Sequence, residues 1–390
     1  MRVARTLRRE HVVLDEAAAP VPGPGEALVR VHTVTLCGTD LHIWEDDYAS
    51  ELPLVQGHEI AGVVETAPAG SGFAAGDRVV VSPMRWCGDC HACRIGRINA
   101  CSSSSCLGVY EDGALADLIA VPATDLHRVP DALPLGLAAL AEPASIAMQA
   151  VLRGRPEPGE RALVLGCGPI GLLATLHLTS LGVAVSCVDV DAGRAEFARG
   201  FGAVHIGADG PEPSLVIEAS GSPAAFEAGL DAVATAGRVV LVGISDRPVT
   251  LSMRTLPVKD VDLLGSRNSR RRMGEALDLL AAHPEAASAL VTHRVPLERL
   301  GEAFTLLRDA GGLVGKVAID LVPQAAPSGD TACAGAPRGD AAGGGTADGG
   351  AAGGGTADGG AAGGDTADGG AVGADGARGA GSAPRPGVPA

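Results

Sequence analysis

The chain has 390 residues, enough for about two ordinary domains, and a formal net charge of −16. That balance argues against a nucleic-acid or anionic-membrane surface, and no apolar run approaches the ~18–20 residues of a membrane span. The start, Met1 to Val13, carries arginines but no apolar core, so it is not a signal peptide, and nine cysteines without a secretion signal indicate metal-bound or free thiols in a reducing cytoplasm.

Residues 1–150 read as short strands broken by Gly and Pro, with strand-like runs at Leu28 to Val31, Gly62 to Glu65 and Arg78 to Val81. Between the first two lie Cys37-Gly-Thr39-Asp-Leu-His42 and Gly57-His58-Glu59. Each of these residues has a bland reading alone: a buried thiol, a surface imidazole, a solvated carboxylate. Together they supply the mixed donors of an open zinc site, in which the ion would act as a Lewis acid on an alcohol. Thr39 would then take the alcohol proton and His42 pass it to water.

Next come Cys87, Cys90, Cys93 and Cys101, four cysteines within fifteen residues with two, two and seven residues between them. Short CxxC loops let successive sulfurs turn onto one ion, so this is a closed structural zinc site. A pair of disulfides is the poorer reading, because closely spaced cysteines would have to share partners within one tight loop.

From 161 the pattern changes to apolar strands alternating with Ala/Leu-rich helical stretches, the signature of parallel βαβ units. Arg161 to Leu165 is a strand, and Gly166-Cys-Gly168-Pro169-Ile170-Gly171 follows and opens a helix. The first glycine permits the tight turn, the second lets backbone approach a pyrophosphate, and the third allows close helix packing. A second strand, Val183 to Val188, ends in Asp189, eighteen residues beyond Gly171. A carboxylate there accepts hydrogen bonds from ribose hydroxyls and repels a 2′-phosphate, which favours NAD over NADP. Asp191 competes for that role, and Arg194 is a further cofactor candidate.

After 290, Thr292 to Pro296 and Gly315 to Asp320 read as strands flanking a helix near 298–309, returning to the first domain. Beyond Val322 the chain is mostly Ala, Gly, Asp, Thr and Pro, and a ten-residue unit repeats three times over 341–370. With alanine as its largest apolar residue, the unit cannot build the core of a calcium-binding β-roll, and residues 323–390 are expected to be a disordered tail.

These marks together resemble the zinc-dependent medium-chain alcohol dehydrogenases, in the branch holding sorbitol, threonine and sugar-acid dehydrogenases. The resemblance covers about residues 1–322 and rests on CGTDLH, GHE, the four-cysteine lobe, Glu142-Pro143, GCGPIG, Asp189 and Gly315-Lys316-Val. It implies an α/β fold: a GroES-like β-rich catalytic domain (1–150, completed by 290–322) interrupted by a doubly wound Rossmann NAD-binding domain (151–289). It implies Cys37, His58 and Glu59 as catalytic zinc ligands, with Glu142 bound directly or through water. It also implies two zinc ions per chain, NAD, a small-molecule alcohol substrate and a homodimer or homotetramer. A polyol, sugar acid or cyclitol is the leading substrate class; threonine-like amino-alcohol oxidation and a non-catalytic NAD/zinc scaffold are the alternatives. The stretch from Ala203 to Leu215 is shorter than such a domain usually carries, so part of a Rossmann helix or strand is expected to be missing. Trp44, Tyr48, Trp86 and the arginines of 267–272 are open between pocket and core or surface roles. Cys106, Cys167, Cys187 and Cys333 match no ligand position.

Overall fold

The computed structural model describes residues 1–309 and 313–322; the repeats and Cys333 lie outside the described residues. Two main sheets form around separate hydrophobic clusters. The first has seven strands. Along its main path run Val291–Pro296, Lys316–Asp320, Glu26–Thr35, Glu59–Thr66, Arg78–Val81 and Leu126–Arg128, with Leu118–Pro122 also paired to Glu26–Thr35. Glu26–Thr35 is its hub, and Val29, Val31 and Val34 on it are fully buried. The two strands read from the end of the sequence do join this sheet: Lys316–Asp320 pairs antiparallel with Glu26–Thr35, which carries Lys316 beneath the Cys37 loop.

The second sheet has six parallel strands, in the order His205–Ile206, Ala184–Val188, Arg161–Leu165, Leu215–Glu218, Arg238–Leu241 and Asp262–Gly265. Its central strands are near-continuous apolar runs because helices cover both faces, as parallel sheets require. The chain order reverses at Arg161–Leu165, which lies between the second and fourth strands in sequence of this sheet. A ligand crevice opens outside the carboxyl ends of strands at such a switch point.

From His205–Ile206 the chain must cross two strands to reach Leu215–Glu218, and it does so through residues 207–214 alone. A parallel crossover ordinarily takes a dozen or more residues and a helix. The missing element is therefore the crossover helix, and both strands survive. Gly207 at φ +126 and Pro211 and Pro213 turn the short link.

The helix Ala141–Arg153 connects the two halves of the molecule. It packs along the helix Pro169–Ser180 that follows the glycine loop, and its first turn carries the buried Glu142.

Candidate active site

Cys37 lies at the end of the Glu26–Thr35 strand and caps the helix Gly38–Trp44. His58 and Glu59 open the neighbouring Glu59–Thr66 strand, and Thr35 faces Glu59 in the ladder between the two. This register brings one thiol, one imidazole and one carboxylate together, with a ligand atom from each within 4.8 Å of the others. The Thr39 hydroxyl lies 3.9 Å from Cys37 Sγ. His42, in the last turn of the same helix, is exposed, and its Nδ1 lies 3.0 Å from Asp47 Oδ1.

The surroundings of these donors are strongly negative. Burial pushes the Glu142 carboxyl up to about 7, with Glu59 and Asp40 adding to the effect. Burial disfavours charge on the His58 ring, yet Asp40, Cys37 and Glu142 outweigh it and raise its pKa to about 10. Burial likewise opposes charge on Lys316, and Glu59 and Cys37 raise it nonetheless. Such a pocket is short of positive charge, and a thiolate–imidazole–carboxylate set with an excess of anions fits a divalent cation.

Two residues outside the candidate list support this set. Asp40 is fully buried; it accepts from the Cys37 backbone N–H at 2.9 Å and the Gly57 N–H at 3.3 Å, and its Oδ2 lies 3.7 Å from His58 Nδ1. One carboxylate thus braces both loops through their backbone N–H groups and sets a negative charge beside the imidazole, whose Nδ1 makes no hydrogen bond among the described residues. Lys316 is also buried; its ammonium donates to Glu59 Oε1 and, at 3.2 Å, to the Leu36 carbonyl. Thr35 donates to the other oxygen of Glu59. Each carboxylate oxygen has two lone pairs, so these bonds fix the Glu59 carboxyl in place and leave it coordinating capacity.

The four cysteines of the lobe also converge, their sulfurs all within 4.8 Å of one another. Cys101 and Cys87 Sγ are 3.5 Å apart, and Cys90 and Cys101 Sγ 3.9 Å. A tetrahedron with Zn–S bonds of ~2.3 Å has sulfur edges of ~3.8 Å. Backbone N–H groups point at the sulfurs: Cys90 N to Cys87 Sγ at 3.3 Å, and Cys87 N and Ser103 N to Cys101 Sγ, both at 3.4 Å. Donation from the Cys93 and Ser102 backbone pulls the Cys90 thiol down to about 5, the thiolate state a metal needs. Cys106 lies outside this set, buried with its Sγ 3.4 Å from the Leu107 carbonyl.

In the glycine loop, Gly166 adopts φ +95, and a Cβ on it would stand 2.9 Å from Ser220. A Cβ on Gly171 would stand 1.8 Å from the Gly166 carbonyl, so only glycine permits the helix to start so close to the strand. Gly168 caps that helix and Pro169 occupies its first turn, leaving free N–H groups for a pyrophosphate. Ile170 packs against the core below. Asp191 caps the next helix by accepting from Arg194 N at 2.9 Å. Asp189 instead accepts from Cys167 N at 2.7 Å and Asp191 N at 2.9 Å, which ties it to the glycine loop at the crevice. Arg194 is half-buried, and its Nε is buried without a hydrogen-bond partner.

Of the open aromatic residues, Trp44 belongs to the core, 5 % exposed and stacked on Phe304 with ring centroids 5.2 Å apart. Tyr48 is half-buried beside Tyr110, and Trp86 lies under Arg271.

Residues 23–131 match the alcohol dehydrogenase GroES-like domain family, and residues 136–321 match the glucose dehydrogenase C-terminus family. The L-threonine 3-dehydrogenase of Pyrococcus horikoshii is 34% identical over 328 residues, covering 78% of this chain and 93% of that protein. Human sorbitol dehydrogenase is 32% identical over 323 residues, covering 77% and 90%. An Escherichia coli CFT073 alcohol dehydrogenase crystallised with NADH superposes with a TM-score of 0.78 at 27% identity, over 82% of this chain and 99% of that one.

Proposed function

Because the chain belongs to the zinc-dependent medium-chain alcohol dehydrogenase family, we propose that it moves a hydride between NAD and a secondary hydroxyl of a polyol or sugar acid at the Cys37–His58–Glu59 site. The observation that carries this reading is the convergence of a thiol, an imidazole and a carboxylate within 4.8 Å, beside a threonine hydroxyl. When bound there, zinc supplies a Lewis acid for the alcohol oxygen and NAD accepts the hydride.

The chain's own residues do the rest. Cys37, His58 and Glu59 would hold the metal, with Glu142 bound to it directly or through water. Thr39 Oγ1 takes the proton of the alcohol. His42 receives it and, through the nitrogen facing Asp47, releases it at the exposed surface. Asp40 keeps the Cys37 and Gly57 loops in register through their backbone N–H groups, and Lys316 pairs with Glu59. Cys87, Cys90, Cys93 and Cys101 hold a second zinc with no open position. Gly166, Gly168, Pro169, Ile170 and Gly171 seat the pyrophosphate. Asp189 and Arg194 face the adenosine end, with Asp189 selecting NAD.

The proposal divides the chain into a catalytic domain (1–150 with 290–322) and a nucleotide domain (151–289), a reading that the two separate sheets support. A homodimer or homotetramer in the cytoplasm completes the proposal; among the described residues no helix is long and apolar enough to cross a membrane. The test is a panel of polyols, aldonates, threonine and cyclitols, each with NAD and with NADP, followed by absorbance of the reduced nicotinamide. Turnover of a secondary polyol or aldonate hydroxyl with higher kcat/KM for NAD supports the proposal. Threonine as the preferred substrate, or preference for NADP, contradicts it.

A further inference from the structure

We propose that the four-cysteine lobe acts on cofactor binding as well as on stability. Through Asn99 and Trp86 it holds residues 266–272 in the conformation that faces the dinucleotide crevice, and Asn99 is a positioning residue for NAD. The inference rests on the NAD-dependent reading above.

Segment 266–272 leaves the carboxyl end of the edge strand Asp262–Gly265 and leads into the helix Met273–Ala282. It contains two non-glycine residues in the left-handed region, Asn268 at φ +49 and Arg271 at φ +55. Asparagine tolerates that region, but an arginine stays there only where its surroundings over-determine it. Both are held by the lobe. Asn99 Nδ2 donates to the Arg267 carbonyl at 2.8 Å, and Asn268 Nδ2 donates back to the Asn99 carbonyl at 3.3 Å. The Arg271 guanidinium lies over the Trp86 ring, 4.9 Å from its centroid. Asn99 is 6 % exposed, so water does not compete well for this clamp. It sits in the single turn Ile98–Ala100 between Cys93 and Cys101, and the metal cluster therefore fixes its place. The far end of the segment is pinned separately, by Arg272 Nε donating to Gln149 Oε1 at 3.1 Å on the Glu142-bearing helix.

Strand spacing gives the clamp a ligand. The pyrophosphate site follows Arg161–Leu165, and Asp189 directs the adenosine half to one side of it. The nicotinamide half must extend the other way, past Leu215–Glu218 and Arg238–Leu241 to Asp262–Gly265. Three strand spacings of ~4.8 Å are ~14 Å, within reach of an extended half-dinucleotide. The lobe therefore templates the segment that the nicotinamide end meets.

The experiment measures NADH affinity by fluorescence without any alcohol, zinc by mass spectrometry, and amide hydrogen exchange of 266–272. It uses wild type, Asn99→Ala, Asn99→Asp and Trp86→Leu. Asn99→Asp keeps size and the backbone carbonyl but removes the side-chain donor. The expected result is NADH affinity weaker by about fivefold in both Asn99 variants, the fold-change equivalent to one net hydrogen bond, and by about two- to fivefold in Trp86→Leu, that of an exposed cation–π contact. Faster exchange in 266–272 should accompany it, with two zinc ions per chain retained. Wild-type affinity in both Asn99 variants at full zinc content overturns the inference, as does weakening that appears only with loss of lobe zinc. Failure of the wild type to bind NADH refutes the oxidoreductase reading itself.

Discussion

Replacing Lys316 by methionine isolates the least solvent-accessible charge pair beside the metal site. The two side chains are 4% and 1% exposed, and the ammonium also satisfies the Leu36 carbonyl. Methionine fills similar volume but leaves Glu59 buried without its cationic partner among Cys37, Asp40 and Glu142. Breaking a buried pair by removing one partner costs about 3–5 kcal/mol, because the survivor is an uncompensated charge. Unfolding entropy of ~2.1 cal/mol/K per residue over ~320 structured residues gives ~0.7 kcal/mol per degree, so the melting temperature should fall by about 5–7 °C. Calorimetry on metal-depleted protein reads this directly. Zinc-loaded protein should lose less, since the ion itself offsets Glu59. The double variant Lys316→Met/Glu59→Gln should recover most of the loss, because no buried charge is left behind. A single variant melting within a degree of wild type, or a double variant melting lower than the single one, refutes the reasoning.

Cys90→Ser should lower zinc from two ions per chain to one, reduce thermal stability and weaken NADH binding while the catalytic ion stays in place, which metal analysis, calorimetry and NADH titration on the same sample separate. Thr39→Val should cut kcat by about 10²–10⁴-fold, as removal of a positioned proton acceptor does, with both zinc ions and NADH affinity unchanged; full activity would make Thr39 an ordinary packing residue. Glu160, held by Arg238 through a two-point pair with N–O distances of 2.8 and 2.7 Å, has its carboxyl lowered to about 2. A lowered folded-state pKa means its stabilisation is complete above the unfolded value of ~4.5 and fades as pH falls toward 2. Glu160→Gln should therefore be less stable than wild type in urea at pH 7, and the gap should narrow at pH 3.5; no gap at pH 7 would show the pair contributes nothing, and a gap that widens with acid would contradict the lowered pKa.

What the sequence discloses here depends on whether a residue's role is local. Gly166 and Gly171 are legible because the turn and the helix contact exclude a Cβ within five residues of chain. The cysteine lobe is legible because its ligands are neighbours, and the Arg78–Val81 strand because apolar residues run between turn signals. Asp189 becomes distinguishable from Asp191 only in three dimensions, where one caps a helix and the other meets the glycine loop. Asp40 stands inside a motif whose cysteine, threonine and histidine draw the chemical reading; its spacing of three from Cys37, a capping position, is the sequence signal of its role. The role of Lys316 depends on Glu59, 257 residues away, and no periodicity connects them. The same holds for Asn99 and residues 267–268, joined across 168 and 169 positions. Trp44 next to the motif invited a pocket role, but Phe304 from a distant helix claims it for the core.

The central claim is that Cys37, His58 and Glu59 hold the zinc at which a secondary alcohol reacts with NAD. The most direct test combines zinc content with NAD reduction, followed at the nicotinamide absorbance, for wild type and Cys37→Ala. Wild type should carry two zinc ions per chain and reduce NAD with its alcohol, while Cys37→Ala should keep the lobe ion alone, bind NADH normally and show essentially no turnover. Two zinc ions and undiminished turnover in Cys37→Ala would contradict the account.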